Sequence, residues 1–111
     1  MKLKLRNVNY DIKMTTKLDK DLDDARGKIF YEELKILLDK DLPNDLKIQT
    51  LYHEIAHAIC DQSFFNDVLI EKLGDDEYEI MVDSIGTLLY DIIHSNNMSD
   101  VEEFVLKNSK K

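Results

Sequence analysis

Residues 43–61 read PNDLKIQTLYHEIAHAICD, and this stretch decides the fold of the chain. Its apolar side chains recur every three to four residues, the spacing that places them on one face of an α-helix. They are Ile48, Leu51, Tyr52, Ile55 and Ile59. Pro43 suits the first helical turn because its missing N–H costs no hydrogen bond there, and Asp45 complements the positive end of the helix dipole. The sequence therefore predicts an amphipathic helix from about Pro43 to Asp61.

Before Pro43 the apolar residues alternate with a period near two, which is typical of β-strands. The predicted strands cover residues 3–5, 8–14, 29–31 and 34–38. A shift in the pattern at Arg6-Asn7 predicts a bulge or a turn between the first two strands. Residues 15–27 are mostly polar and predict a connection. Glu32-Glu33 lacks the Asn-Gly chemistry of a tight hairpin, so a hairpin between the last two strands has only partial support.

After the central helix the helical spacing continues, and it predicts helices over residues 66–73 and 76–94. Gly74 suits the end of the first, and Ser99 with Glu102 forms a capping box that predicts a short final helix. The fold class is therefore α+β, with a small antiparallel sheet packed on the central helix and on two or three further helices. A chain of 111 residues has the length of one domain, residues 1–111.

Composition narrows the classes of partner. The formal net charge is −8, which argues against nucleic acid and anionic membranes, since phosphate binding needs a concentrated cationic surface. No apolar stretch approaches the roughly 18 residues that span a bilayer, and the N-terminus lacks the features of a secretory signal. Cys60 is the only cysteine, so a disulfide within the chain is impossible and a reducing compartment is favoured. These features predict a cytoplasmic protein.

The central helix carries the motif His53-Glu54-Ile55-Ala56-His57. Positions four residues apart lie on one helical face, so both imidazoles can bind one Zn²⁺. Glu54 follows the first of these residues directly and can accept a proton from a metal-bound water. A third protein ligand must come from elsewhere, and the fourth position stays open for water and substrate. The motif predicts a zinc site with Glu54 as the general base.

Two other interpretations of the same motif stay open. In the first, both histidines are hydrogen-bonded structural residues on a half-buried helix and the glutamate lies at the surface. In the second, the protein binds a metal but does not catalyse a reaction.

Residues 50–59 resemble the active-site helix of ImmA/IrrE-type and related small phage-encoded, gluzincin-like metallopeptidases. Residues 27–29 and 34–43 also resemble the segment that precedes this helix in the phage members. The resemblance implies a minimal zincin-like fold and a zinc-dependent peptidase that cuts intracellular proteins such as repressor-type regulators. In that family a later helix supplies a glutamate as the third zinc ligand. The similar stretch here is residues 79–83, with Val82 and Asp83 where the family has Ala and Asn, and it implies Glu79 as that ligand. In gluzincins more broadly, the acid at the position of Asp83 supports a ligating histidine.

The spacing of Glu79 and Asp83 agrees with this resemblance, since residues four apart share one helical face. A ligating histidine usually donates its second ring N–H to a carboxylate, which is one role for Asp83. Asp83 is also an alternative third ligand, because Gly86, one turn further on, permits a close approach of two helices. The plainer alternatives are that Glu79 forms a capping arrangement with Asp76 and that Asp83 is a solvated acid.

Three other polar side chains lie near this set in the sequence. His94 is eleven residues from Asp83, about 16 Å along a straight helix, which is too far to share one ion, so it is expected to be a surface or capping group. Tyr52 and Tyr90 could donate a hydrogen bond to an oxyanion, although half-buried tyrosines are common in cores.

Three functional hypotheses follow. The first is a zinc peptidase acting on a protein or peptide substrate, which would dock by strand addition along an edge strand at residues 34–38. The second is a metal-stabilised interaction module with little or no turnover that binds a regulatory partner, as the imperfect second motif and the acidic C-terminal half would allow. The third is a metal-free α+β scaffold protein. The substrate, its cleavage site and the oligomeric state are left open.

Overall fold

The computed structural model describes residues 1–5, 8–62 and 71–108. The strands are β1 (Lys2–Leu5), β2 (Val8–Thr15), β3 (Gly27–Phe30) and β4 (Lys35–Asp39). The helices are α1 (Asn44–Gln62), α2 (Asp75–Ser95) and α3 (Met98–Asn108). The α+β class is therefore confirmed, and α1 covers the predicted central helix. The predicted bulge at Arg6-Asn7 lies outside the described residues, as does most of the predicted helix 66–73, of which residues 71–73 are helical.

The four strands form one mixed sheet in the order β1-β2-β4-β3. The two outer pairs are antiparallel, but β2 and β4 are parallel, with Ile12 opposite Ile36. The expectation of an antiparallel sheet is therefore wrong for the central pair. Apolar alternation predicts that a strand exists and not which neighbour it pairs with. Here the chain from Thr15 to Lys35 supplies the long connection that parallel pairing requires.

This strand order also decides which backbone edges are paired. β4 hydrogen-bonds to β2 on one side and to β3 on the other, so the prediction that residues 34–38 form an edge strand is wrong. Within the described part of the chain, β3 pairs with β4 alone and is therefore an edge strand. The β3–β4 hairpin closes through a turn over residues 31–34, in which Leu34 has a φ of 53°. The turn therefore includes Tyr31 and Leu34, which alternation alone assigns to the strands.

Helix α1 packs against the sheet on one side and against α2 on the other. One apolar cluster joins the sheet to α1 through Ala58, which is fully buried. A second joins α1 to α2 through Ala56 and Cys60, which contact Tyr78 and Val82. Small residues on α1 therefore allow close packing on both sides, and the HExxH segment lies between β3 and α2.

Two glycines set how closely the neighbouring elements approach α1. A Cβ atom built on Gly86 of α2 would lie 3.0 Å from the Cα atom of His53. One built on Gly27 of β3 would lie 2.7 Å from the Cγ2 atom of Thr50, one turn before His53. The prediction that Gly86 permits a close helix approach is confirmed.

The capping prediction for the last helix is wrong in detail. Helix α3 begins at Met98, and the backbone N–H of Asp100 donates to the Oδ1 atom of Asn97 at 3.3 Å. Asn97 therefore occupies the capping position that the sequence pattern assigns to Ser99. α3 has no buried residue. Across the described ranges, no helix combines the length and the apolar character needed to cross a bilayer.

Candidate metal centre

The two histidines of the motif lie side by side on one face of α1. Their ring centroids are 5.0 Å apart, and ligand atoms of His53, Glu54 and His57 all lie within 4.8 Å of one another. The convergence predicted from the four-residue spacing is therefore confirmed. His53 and His57 are 26% and 12% exposed, so both rings lie at a half-buried surface that solvent reaches.

Glu79 brings a carboxylate from α2 to both rings. Its Oε2 atom lies 3.5 Å from Nε2 of His53, and its Oε1 atom lies 3.4 Å from Nε2 of His57. Metal–ligand bonds of 2.0–2.2 Å around a tetrahedral centre place neighbouring ligand atoms about 3.4 Å apart. Each Glu79 oxygen is therefore near the ligand spacing to one of the two rings, whereas the group that brings one ligand atom of each residue together consists of His53, Glu54 and His57.

Asp83 contacts the same histidine from the other side of its ring. Its Oδ1 atom lies 3.4 Å from Nδ1 of His53, while Glu79 is next to Nε2. A carboxylate at Nδ1 holds the proton on that nitrogen and leaves the lone pair on Nε2. Asp83 is therefore placed to orient His53, and its position does not match that of a third ligand next to both Nε2 atoms. The capping alternative for Glu79 has no support, since the start of α2 shows no side-chain capping bond.

Glu54 is the buried acid of the group, with 6% of its surface exposed. Its pKa is raised to about 7, chiefly by burial; His53 lowers this pKa and the negative charge of Glu79 raises it. Burial also lowers the pKa of the His57 imidazole, against an opposing effect of Glu79. Neutral imidazole is the form that binds metals, so burial favours the binding form of His57.

Two cavities open next to His53. The larger, of about 310 Å³, is lined by Arg26, Gly27, Gln49, Glu54 and Asp83 among others. The smaller, of about 140 Å³, lies towards α2, where Gly86 and Tyr90 form part of its wall. His53 lines both cavities, so the histidine face of α1 is accessible to a ligand larger than water.

His94 lies in an aromatic group beyond the smaller cavity. Its ring stacks on Tyr90 at 4.2 Å between centroids and contacts Tyr52 edge-on at 5.7 Å. Its Nδ1 atom lies 3.0 Å from the carbonyl oxygen of Tyr90. His94 is exposed, as expected, and its ring contacts these two tyrosines. Tyr90 borders the smaller cavity, so of the two tyrosines it is the one placed to contact a bound ligand.

Sequence reasoning missed Arg26 and Gln49, which line the larger cavity. Gln49 lies four residues before His53 on α1, so the helical spacing that placed the histidines could also have indicated it. Arg26 has no such signal, because it reaches the cavity only through the packing of β3 on α1.

Comparisons with protein-family models, with curated proteins and with solved structures found no match for this chain.

Proposed function

We propose that this protein is a zinc-dependent metallopeptidase of the ImmA/IrrE-like, gluzincin-related type. The observation that carries the proposal is the position of the Glu79 carboxylate, 3.5 Å and 3.4 Å from the Nε2 atoms of His53 and His57. Two neutral imidazoles and one carboxylate are a donor set typical of catalytic zinc, which keeps a fourth position for water. Glu79 is accordingly the proposed third ligand, and Asp83 is the proposed positioning residue for His53.

The chemistry that follows assigns one role to each side chain. Bound Zn²⁺ would supply Lewis acidity, which polarises a scissile carbonyl and lowers the pKa of water. Glu54 accepts the proton of the attacking water and returns it to the leaving amine. Asp83 accepts a hydrogen bond from the Nδ1–H of His53 and fixes the orientation of the ring.

The proposed substrate is a protein or peptide in extended conformation. The proposed docking site is the outer edge of β3, the edge strand next to α1. Residues 35–38 belong to β4, which is paired on both sides and offers no free edge. Strand addition would satisfy the backbone groups of β3 and place the peptide along the larger cavity. The single cysteine of the sequence fits a reducing compartment, so a cytoplasmic regulatory protein is the proposed substrate class.

The test compares wild type with Glu54→Gln, which keeps the shape of the side chain and removes the base. Both proteins are purified without chelators, analysed for zinc, and incubated with a peptide mixture prepared from a proteome. We expect about one zinc per chain in both proteins, and hydrolysis that falls by 10²–10⁴-fold in the variant. Equal hydrolysis by the two zinc-loaded proteins would contradict the mechanism.

A metal-stabilised interaction module is the second candidate, and one surface favours it. Helix α3 has no buried residue and exposes Val101, Phe104, Val105 and Leu106. Residues 101, 104 and 105 share one helical face by their spacing, and an exposed apolar face is typical of a protein-binding site. For such a module a chelator would lower the melting temperature, and partner binding would be unchanged by Glu54→Gln. A zinc content near zero would instead favour a metal-free scaffold.

A further inference from the structure

The larger cavity contains one cationic side chain, that of Arg26. The cavity also contains Glu54 and Asp83, and Glu79 lies next to both histidines. Within residues 1–5, 8–62 and 71–108, Arg26 forms no ion pair, whereas Lys13, Lys17 and Lys35 each do. A guanidinium presents five donors in a planar arrangement that matches a carboxylate. Arg26 therefore has its binding capacity available on the wall of the candidate active site.

The backbone holds Arg26 in place although its side chain is exposed. Its carbonyl oxygen accepts a hydrogen bond of 2.9 Å from the N–H of Asp39. The next residue, Gly27, packs so closely on Thr50 that an added Cβ would lie 2.7 Å from a side-chain carbon. The backbone of Arg26, the residue before β3, is therefore fixed in position relative to Thr50 of α1, which lies one turn before His53.

We propose that Arg26 binds a carboxylate of the substrate within two residues of the scissile bond. This inference rests on the proposed peptidase function and adds to it a specificity for acidic sequence. A cavity of this volume is about 8 Å across, the length of two to three residues of extended chain at about 3.3 Å each. Arg26 and His53 both line this cavity, so a carbonyl beside His53 and an anion at Arg26 can lie on neighbouring residues of one peptide.

Among the charged side chains that line the larger cavity, Arg26 is the one that attracts a carboxylate. The acids at the site repel an acidic peptide, and the protein as a whole is negatively charged. A carboxylate that reaches Arg26 gains a charge-assisted hydrogen bond, which a neutral or basic residue at the same place does not. Two sources supply this group, the side chain of an aspartate or glutamate and the C-terminal carboxylate of a short peptide.

The first experiment digests a proteome-derived peptide mixture with the zinc-loaded protein and identifies the cleavage sites by mass spectrometry. We expect aspartate and glutamate to be enriched within two residues of the cut, and the enrichment to disappear in Arg26→Gln. Lys4→Gln is the matched control, because it removes one positive charge from β1, at the opposite edge of the sheet from β3, at an exposed residue that does not line the cavity. The control is expected to keep the enrichment.

The second experiment measures kcat/KM on a cleaved peptide, on its copy with the acid replaced by the corresponding amide, and on its C-terminally amidated form. We expect the wild type to prefer the acid by about fivefold, the range of a partly exposed ion pair with good geometry, and Arg26→Gln to show a ratio near one. Loss of rate on the side-chain amide identifies an internal acid as the source, and loss on C-terminal amidation identifies the chain terminus.

The outcomes separate this inference from the function on which it rests. Cleavage without acidic enrichment, or an enrichment that Arg26→Gln leaves unchanged, overturns the role of Arg26 and leaves the peptidase proposal intact. A peptide mixture that the zinc-loaded protein leaves uncut overturns the peptidase proposal, and the inference about Arg26 with it.

Discussion

Replacing Gly86 with alanine tests how the site is built, because Gly86 is where α2 meets the backbone of α1. The added Cβ would lie 3.0 Å from Cα of His53, 3.1 Å from its backbone nitrogen and 3.1 Å from the carbonyl oxygen of Tyr52. Relaxed contacts between such atoms are about 3.5–4.0 Å, so the two helices must separate by about 0.5 Å. The neighbours are backbone atoms, so rotation of a side chain cannot relieve the contact.

The expected cost to stability is modest. Overpacking of this kind costs about 1–3 kcal/mol, while alanine gains about 1 kcal/mol over glycine inside a helix. The net loss is therefore about 1 kcal/mol, or roughly 5 °C in melting temperature for a domain of this size. The variant should fold.

We expect Gly86→Ala to lower the zinc affinity more than it lowers the stability of the fold. Separation of α2 from α1 moves Glu79 away from His53 and His57, and ligand distances tolerate only about 0.2 Å. Disturbing the residues that position a metal ligand typically costs about 10–100-fold in metal affinity, so this displacement should weaken zinc binding by about tenfold. Competition with a chromophoric chelator measures this affinity, and thermal unfolding of the metal-free protein measures the stability.

Ser84→Ala is the matched control for Gly86→Ala. Ser84 is exposed on α2 and donates to the carbonyl oxygen of Ile80 on the same helix, so the control should keep the zinc affinity of the wild type. A folded Gly86→Ala protein that binds zinc as tightly as the wild type would refute the argument that the close approach of the helices positions Glu79.

Three further predictions address single contacts. Asp83→Asn should weaken zinc binding by about 10–100-fold, and Glu79→Gln should weaken it by more. The same competition assay measures both affinities. Equal affinity of Asp83→Asn and the wild type would contradict the orienting role of Asp83. Gly27→Ala should lower the free energy of unfolding in urea by about 1–3 kcal/mol, because the added Cβ would lie 2.7 Å from Cγ2 of Thr50. Adding Thr50→Ser should restore most of this loss, because it removes that methyl group and keeps the hydroxyl bonded to the carbonyl oxygen of Leu46. In the metal-free protein the pKa of Glu54 is raised to about 7, and the protonated side chain contributes stability that is complete below pH 4.5 and is lost as the pH rises through 7. The stability of Glu54→Gln relative to the wild type should therefore increase between about pH 5 and pH 8. A constant difference in the free energy of unfolding over that range would contradict the burial of the charge.

The part of the site that lies on one helix could be predicted from the sequence. His53 and His57 converge because the geometry of an α-helix fixes the relation between residues four apart. The convergence of Glu79 with them depends on the angle and distance at which α2 crosses α1. Spacing in the sequence predicts that Glu79 and Asp83 share one helical face. That Glu79 lies next to Nε2 of His53 and Asp83 next to Nδ1 follows only from how α2 packs on α1.

The sheet shows the same division between local and non-local information. Alternating apolar residues predicted all four strands, because the side-chain period of a strand is a local property. The position of β4 between β2 and β3 is a property of strand pairing, and the prediction of an edge strand at residues 34–38 failed for that reason. The place of Arg26 in the cavity could not be predicted from the sequence for the same reason, since its neighbours there lie on α1 and α2.

The two acids of α2 at the candidate metal centre are only partly covered by the rest of the fold. α1 supplies both histidines and lies between β3 and α2, with Gly27 and Gly86 at the two contacts. The acids on α2 stay largely solvated, since the side chains of Glu79 and Asp83 are 54% and 73% exposed. Solvated carboxylates attract a cation less strongly than carboxylates in a low-dielectric site. A peptide that covers these acids would displace water from them, so binding of zinc and binding of substrate should strengthen one another by the same factor.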